Sequence, residues 1–587
     1  MFAAGIITVL SLTSYISSVL LTYFEKEFIL RWVAFGLSLV PVILTGFWMF
    51  LKLVRGKISP LFLRSFYTRD VLLSIGLLII VLSVAATLRF LFLGSYPFVS
   101  VGDEVRDGGL HAFEIATGLR TEIFSYGVYE SHGLIIATAV SFLYRIFQHS
   151  VYSFRVAAAL VGIADVFILY VFLHKSLNKW TAFFAALILA CLPIHLFYSR
   201  TEIVVIFSSF WTTVILLSMY LMITKKTTAF IIWAGTILGF VAGFHTSART
   251  VVFGACLILI TFLGSWLTHA LIAHKRRAIR LLQCAGFIFF FFAGFGPRIL
   301  YSPVHIFFQS RSLNVHSSQV RPGENWIQQV TDISISLKDT YIDSFLVYLQ
   351  NPTLSHYPDH RPILPPLLAL FFLIGLTVAV LILNGKIWKI VAFLTLLIPF
   401  TNSAMTEAVN NDHRLAPMFV FASILSGIGV WFVVFRSKGL RFVQWLLGAV
   451  IVLYIMLHGV MFFGDQPASK DRYVRDYLGM HLIYQLQQQP KMYQDNHICL
   501  RVNPGMAEYL NFIHVREQFN YFIPKLYYDV AASDTAVKPN ELYVMADCAK
   551  DLGLYQTFRI SCNSAFDFRC PITEPQYKEF ILHVARY

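Results

Sequence analysis

Charge is scarce in this chain of 587 residues: Asp, Glu, Lys and Arg together make up 13% of it, about half the share found in ordinary soluble domains. It has no Walker loop, dinucleotide fingerprint, HExxH or CxxC motif, so the phosphate cradles and zinc or redox pairs that those motifs build have no carrier here. No Asn-x-Ser/Thr acceptor with x other than Pro occurs, which favours a bacterial envelope over a eukaryotic secretory route. Internal repeats and low-complexity segments are missing as well. The first apolar run starts at Met1 with neither a basic n-region nor a small-residue cleavage site, and reads as a retained span, not a signal peptide.

What the chain does have is apolar length. It is 57% hydrophobic, with 55 Phe and 28 Tyr, and its mean hydropathy is +0.66. A bilayer core takes roughly 20 apolar residues per helical crossing. Runs of that kind lie at 3–22, 29–51, 71–93, 152–173, 180–198, 203–223, 228–246, 249–272, 281–300, 365–384, 388–401, 416–435 and 442–463. The expected fold class is therefore mainly α, a polytopic membrane bundle of about 13 transmembrane helices.

The net charge of +14 would suggest a nucleic-acid partner in a soluble protein. Here the basic residues fall in short loops: Lys52 to Arg69, Lys175 and Lys179, Lys225 and Lys226, Lys275 to Arg280, Lys386 and Lys389, and Arg436 to Arg441. All of them share one side under this span model, which makes that side cytoplasmic. No nucleic acid is expected. The N-terminus is then inside and the C-terminus outside, in a cell membrane, with a bacterial plasma membrane favoured. The same rule settles the segment 131–148. If it crossed, every later basic loop would flip, so it is read as an amphipathic helix on the outer surface.

The domains expected are 1–69, two N-terminal spans and a cytoplasmic loop; 70–463, a membrane region with external loops 95–151 and 301–364; and 464–587, a small extracytoplasmic α/β domain. That tail alternates strand-like runs (HICLRV, NELYVMAD, TFRISC) with helical ones. It holds Cys499, Cys548, Cys562 and Cys570, and an oxidising compartment favours disulfides. Cys562 with Cys570 and Cys499 with Cys548 are the expected pairs, although connectivity cannot be deduced from sequence; a zinc site is the minor alternative.

Ionisable residues gather on the outer side. The first external loop (SVGDEVRDGGLHAFEIATG) carries Asp103, Glu104, Arg106, Asp107, His111 and Glu114. Later outer turns carry His195, Arg200 and Glu202, then His245 and Arg249, then Arg298, then Arg361. Glu407, Asp412, His413 and Arg414 follow. Each has a structural reading: a capping box for Ser100 and Asp103, an ion pair for Arg200 and Glu202, hydrogen-bonded interface roles for His195 and His245, and snorkelling for Arg249, Arg298 and Arg361. Asp165 is the main charge within a span.

One acidic loop and several arginines suit transfer of a sugar from a lipid phosphate. Arginine binds phosphate bidentately. The leaving phosphate needs no general acid, unlike the leaving group in glycosidases, so one carboxylate acting as base on the acceptor suffices. With these residues in view, the chain resembles the GT-C glycosyltransferases, in the branch of the protein O-mannosyltransferases and the lipid A aminoarabinose transferase. The carriers are Asp103-Glu104 and the surface helix after them, then SFRVAAALVGIADVFILYVFLHKSL, FFAALILACLPIHLFYSRTEIVVIFSSFWTTVILL, RPILPPLLALFFLIGL and NNDHRLAPMFVFASILSGIGV, over residues 70–435.

The resemblance implies a polyprenyl-phosphate sugar donor and inversion at the anomeric carbon. It implies Asp103 as base with Glu104 as its partner, and Arg414 near the donor phosphate. Arg106, Arg200, Glu202, His245, Arg249, Arg298, Arg361 and His413 complete the candidate donor site. The transferred group would be a hexose or pentose, and the acceptor a glycan, lipid or protein. Two spans precede residue 70 where many relatives begin directly, and YGVYESHGL stands where a Lys/Arg-Pro-Pro segment is usual. A divalent metal ion is left open, with Asp103, Glu202 and His305 as available ligands. A transporter or flippase of a lipid-linked anion, and a non-catalytic assembly protein, are the rival readings; the first expects polar residues and broken helices at membrane depth.

Overall fold

Away from water, a spanning backbone can satisfy its N–H and C=O groups only within its own segment, so long apolar runs become helices. In the computed structural model every expected span is met by a helix. Residues 2–22, 28–54, 69–93, 111–118, 120–124, 134–147, 150–201, 204–244, 246–273, 277–300, 338–352, 361–405, 414–436 and 441–463 are described, with five strands of the tail. The first helices are α1 (Phe2–Thr22), α2 (Phe28–Val54) and α3 (Arg69–Phe90), then the short α4 (His111–Thr117) and α5 (Ile135–Phe147). The core follows as α6 (Ser150–Ser176), α7 (Lys179–Cys191), α8 (Pro193–Tyr198), α9 (Val205–Lys225) and α10 (Thr228–Ala242). Next come α11 (Thr246–Ala273), α12 (Arg277–Phe295) with a 3-10 turn at Gly296–Leu300, α13 (Pro366–Leu381), α14 (Lys386–Met405), α15 (Ala416–Phe435) and α16 (Arg441–Met461). Among the described residues, seven helices have the length and hydropathy to cross a bilayer unaided, and the chain is a multi-pass membrane protein.

Two expectations meet their physical limits here. The segment 131–148 forms α5, whose 13 residues rise only about 20 Å, short of the roughly 30 Å hydrocarbon core. Its apolar face packs on protein instead: Ile136 and Val140 join Phe35 of α2 in one buried cluster, and the Trp32 and Phe142 rings lie 4.5 Å apart. The run 180–198, in contrast, is not one helix. Pro193 has no N–H and disfavours helical backbone in the residue before it. Leu192 is accordingly extended, at φ −65° and ψ 116°, and separates α7 from α8.

The centre of the bundle is α7 and α15, buried almost along their lengths. Glycine lets their neighbours approach. A Cβ on Gly427 of α15 would meet Ala185 of α7 at 2.5 Å, and Gly375 of α13 and Gly429 of α15 lie against each other's backbones, at Leu425 and Phe371. The outward faces of α2, α3 and α16 carry exposed Phe47, Ile79, Leu453 and Leu457, the surface lipid would cover.

Contacts between helix ends sort the loops. Lys179 at the start of α7 pairs with Asp70 at the start of α3, at 2.8 Å. Tyr170 donates to Ser74 O, Tyr220 to Lys175 O, and Gln283 to Thr228. The described residues of the loops around Asp70, Lys175 to Lys179, Lys225 to Thr228 and Arg280 therefore share one end of the bundle.

In the tail, the strand-like runs are strands. β1 (Ile498–Val502), β2 (Leu526–Val530), β3 (Glu541–Met545), β4 (Tyr555–Ser561) and β5 (Glu579–Ala585) form one mixed sheet in the order β2-β1-β3-β5-β4. β1 runs parallel to β2 and β3 parallel to β5, while β1–β3 and β4–β5 are antiparallel. The residues between the strands are outside the described ones, as are Cys548, Cys562 and Cys570; Cys499 stands on β1.

Candidate functional site

Asp103, Glu104, Arg106, Glu202, His245 and His413 lie outside the described residues, and so does His305. What is described is the frame from which they extend. α3 ends at Phe90 and its carbonyls point toward that C-terminal end. In a membrane such carbonyls have little water to bond, so they need donors from protein. Arg200 supplies them. Its Nη1 donates to Leu88 O at 2.5 Å and Arg89 O at 2.9 Å, and its Nη2 to Leu91 O at 2.6 Å. Its guanidinium carbon sits 5.0 Å over the Phe463 ring. Arg155 of α6 donates to Leu93 O at 3.2 Å. Two cations thus cap the helix from which the acidic loop departs, where the helix dipole favours positive charge.

Arg298 is used in the same way. It is buried, donates to Phe295 O and Gly294 O at 2.9 and 3.1 Å, and lies 5.2 to 5.7 Å from the Phe240, Phe244 and Phe295 rings, a cation–π cage. Arg200 and Arg298 are thus both buried and both donate to carbonyls at helix ends. The remaining candidates differ. Arg249 is part-exposed, with Nη2 3.3 Å from Phe244 O; Arg414 is part-exposed just before α15, and Arg361 is exposed.

Below these caps lies a polar network in which the sequence had marked only Asp165 and His195. One carboxylate oxygen of Asp165 accepts from Ser209 Oγ at 2.7 Å and faces His195 Nε2 at 3.2 Å; the other accepts from Thr213 Oγ1 at 2.5 Å. His195 Nδ1 faces Arg89 Nη2 at 2.8 Å, and Arg89 Nη1 reaches Ala85 O and Ala190 O. All five side chains are at or near zero exposure. Arginine can only donate, so Nδ1 accepts and Nε2–H donates to Asp165. His195 is thus a neutral bridge between a cation and an anion, not the interface histidine expected. The helix break at Leu192 turns it inward, and the Ser209/Thr213 spacing puts both hydroxyls on one face of α9.

Gly162 makes room for this. A Cβ there would meet Ser199 Cβ at 2.5 Å and Arg89 Nε at 2.7 Å. Gly162→Val is expected to destabilise the protein by about 1–3 kcal/mol, the usual cost of overpacking, read as a fall in Tm of the detergent-purified protein; an unchanged Tm would show that Arg89 is free to move aside.

A second cluster holds α4. Glu114 accepts from Arg120 Nε at 2.9 Å and faces His111 Nδ1 at 3.2 Å, while Arg31 of α2 donates to Arg120 O at 2.9 Å. Burial alone would raise the Glu114 pKa; the hydrogen bond from His111 and the charge of Arg120 outweigh it and hold the carboxyl below its usual value. A depressed carboxyl pKa stabilises above the unfolded pKa and is lost as pH falls through the folded one. The protection of residues 111–124 against hydrogen exchange, taken relative to the intrinsic rate at each pH, is therefore expected to be high at neutral pH and lost below the ordinary carboxylate range. Glu114→Gln should abolish that acid step.

Among the described residues no three His, Cys, Asp or Glu side chains gather as a metal site would, and the three ligands suggested by the sequence are outside them. Residues 131–292, from α5 into α12, match the family model described as dolichyl-phosphate-mannose-protein mannosyltransferase. No curated protein matches. Among solved structures, ArnT from Cupriavidus metallidurans bound to undecaprenyl phosphate is similar at 12% identity and a TM-score of 0.43, over 77% of this chain and 76% of that one. The archaeal oligosaccharyltransferase AglB from Archaeoglobus fulgidus, in complex with an inhibitory peptide and a dolichol-phosphate, is similar at 14% identity and a TM-score of 0.39, over 71% of this chain and 59% of that one. At those scores the weight rests on the family match. The family match, from α5 into α12, is to a mannosyltransferase family of the kind that the sequence resembles.

Proposed function

We propose that the protein transfers a sugar from a polyprenyl-phosphate donor to an acceptor on the extracytoplasmic side of a bacterial plasma membrane, with inversion. The family match over α5 to α12 carries this reading. Asp103, in the loop that leaves the arginine-capped end of α3, takes the proton of the acceptor hydroxyl or amine as its oxygen or nitrogen attacks the anomeric carbon. The bond from that carbon to the phosphate oxygen breaks, and the lipid phosphate leaves as an anion. Glu104 assists as the neighbouring acid and helps stabilise the oxocarbenium-like charge. Arg249, Arg361 and Arg414 are the described candidate arginines that are not fully buried, and with Arg106 they are assigned to the donor phosphate. Arg200 and Arg298 serve by capping. Glu202, His245 and His413 complete the site. A divalent ion, if used, would be held by Asp103, Glu202 and His305 and would neutralise phosphate charge. The disulfides Cys499–Cys548 and Cys562–Cys570 are assigned to the tail.

Asp103→Asn is expected to abolish transfer while expression and Tm stay at wild-type levels. The measurement is the glycan and lipid profile of cells lacking the gene, complemented with either form. Full complementation by the variant would remove Asp103 as base, and an unchanged profile in the deletion strain would remove the transferase reading. A lipid-anion transporter is the second reading, favoured by the broken α7–α8 segment and by Asp165 within a span. Against it, both Asp165 oxygens are occupied by protein groups and its surroundings are closed.

A further inference from the structure

We propose that Arg89, His195 and Asp165 are positioning residues that hold the end of α3 and the turn after α8 in register; this rests on the transferase reading above. The geometry is a continuous set of hydrogen bonds across four elements. It starts at Ser209 and Thr213 on α9, passes through Asp165 on α6 and His195 on α8, and reaches Arg89 on α3. From there it returns to the turn after α8, because the Arg89 carbonyl accepts from Arg200, which also grips Leu88 O and Leu91 O. The end of α3 and the turn after α8 are thereby joined directly through Arg200 and, behind it, through the Arg89–His195–Asp165 chain. The acidic loop follows Leu93, and Glu202 follows Arg200.

Burial alone does not call for this network. Replacing a buried ion pair by apolar side chains of similar volume is often neutral or stabilising. An apolar contact, however, tolerates rotation and sliding, whereas a set of directional bonds with no water to substitute admits one arrangement. His195 suits the bridge because it accepts on one side and donates on the other. Gly162 is the small residue that admits Arg89 to this position, since a Cβ there would meet its Nε. A proton relay is the other use of such a chain, but Asp165 is closed off from solvent and each of its oxygens already has a donor.

The test compares His195→Leu, which cuts the bridge, with His195→Gln, whose amide can accept from Arg89 and donate to Asp165. Both are made in the full chain in nanodiscs and in the complemented deletion strain. His195→Leu is expected to lower transfer about 100-fold, the penalty for a misplaced reacting group, with undecaprenyl phosphate binding by native mass spectrometry unchanged. His195→Gln should recover most of that loss. Hydrogen exchange in peptides after Leu93 should speed up in His195→Leu and return toward wild type in His195→Gln. Equal transfer by wild type and His195→Leu, or a His195→Gln variant as impaired as His195→Leu, overturns the proposal. If His195→Leu does not fold, Asp165→Asn takes its place against wild type with the same readouts. If the wild-type protein neither binds undecaprenyl phosphate nor alters any glycan, the transferase reading fails. The exchange rates after Leu93 then decide the positioning: unchanged rates in His195→Leu sink it.

Discussion

Arg89→Met is expected to cost about 3–5 kcal/mol of stability, because it leaves a buried carboxylate without its cation. Asp165 would keep the bonds from Ser209 and Thr213, but His195 would lose the group that fixes its tautomer, and Ala190 O would lose a donor. The double variant Arg89→Met/Asp165→Leu removes both charges. It should be less destabilised than the sum of the two single changes by about 1–3 kcal/mol, the range seen for residues in one network. Thermal unfolding in detergent, followed by near-UV circular dichroism, measures all three. Strict additivity would mean that the cation and the anion do not feel each other through His195, and the bridge would have no energetic content.

The second large effect belongs to the glycines of α13 and α15. Gly429→Val puts two methyl groups where the Phe371 carbonyl of α13 lies, and Gly375→Val does the reverse against Leu425 O. Backbone cannot step aside as the tip of a flexible side chain can. Each change is therefore expected at or above the roughly 3 kcal/mol upper range of core overpacking, with loss of the monodisperse peak in size-exclusion chromatography. Close backbone approach through small residues is a main source of helix association where no hydrophobic drive separates protein from lipid. α15 uses it on two faces, toward α7 through Gly427 and toward α13 through Gly429. A Gly429→Val protein with wild-type Tm would show that α13 and α15 can separate without penalty.

Apolar run length made the helices legible, since a bilayer demands about 20 apolar residues per crossing whatever they pack against; among the described residues, seven of those helices are long and apolar enough to cross. The basic loops then made the sidedness of the helix ends legible, and the pairing of Lys179 with Asp70 fits that assignment. Strand-like alternation in the tail located β1, β3 and β4. The roles of the arginines were not readable. Arg200 and Arg249 look alike as isolated cations in outer turns, and only the nearness of the α3 carbonyls separates a cap from a side chain with access to solvent. Arg89 gave no sign at all, because a basic residue at the end of a span looks like any interfacial anchor.

The sequence by itself determined that this is a multi-pass helical membrane protein, and it carried the GT-C resemblance. Hydropathy and loop charge are one-dimensional properties, so they survive without knowledge of which helix touches which. Tertiary structure alone decided which of its polar residues are spent holding the frame. Asp165, His195 and Arg89 are separated along the chain and meet only when α3, α6, α8 and α9 pack, and a buried charge is tolerable only beside the partner that such packing supplies.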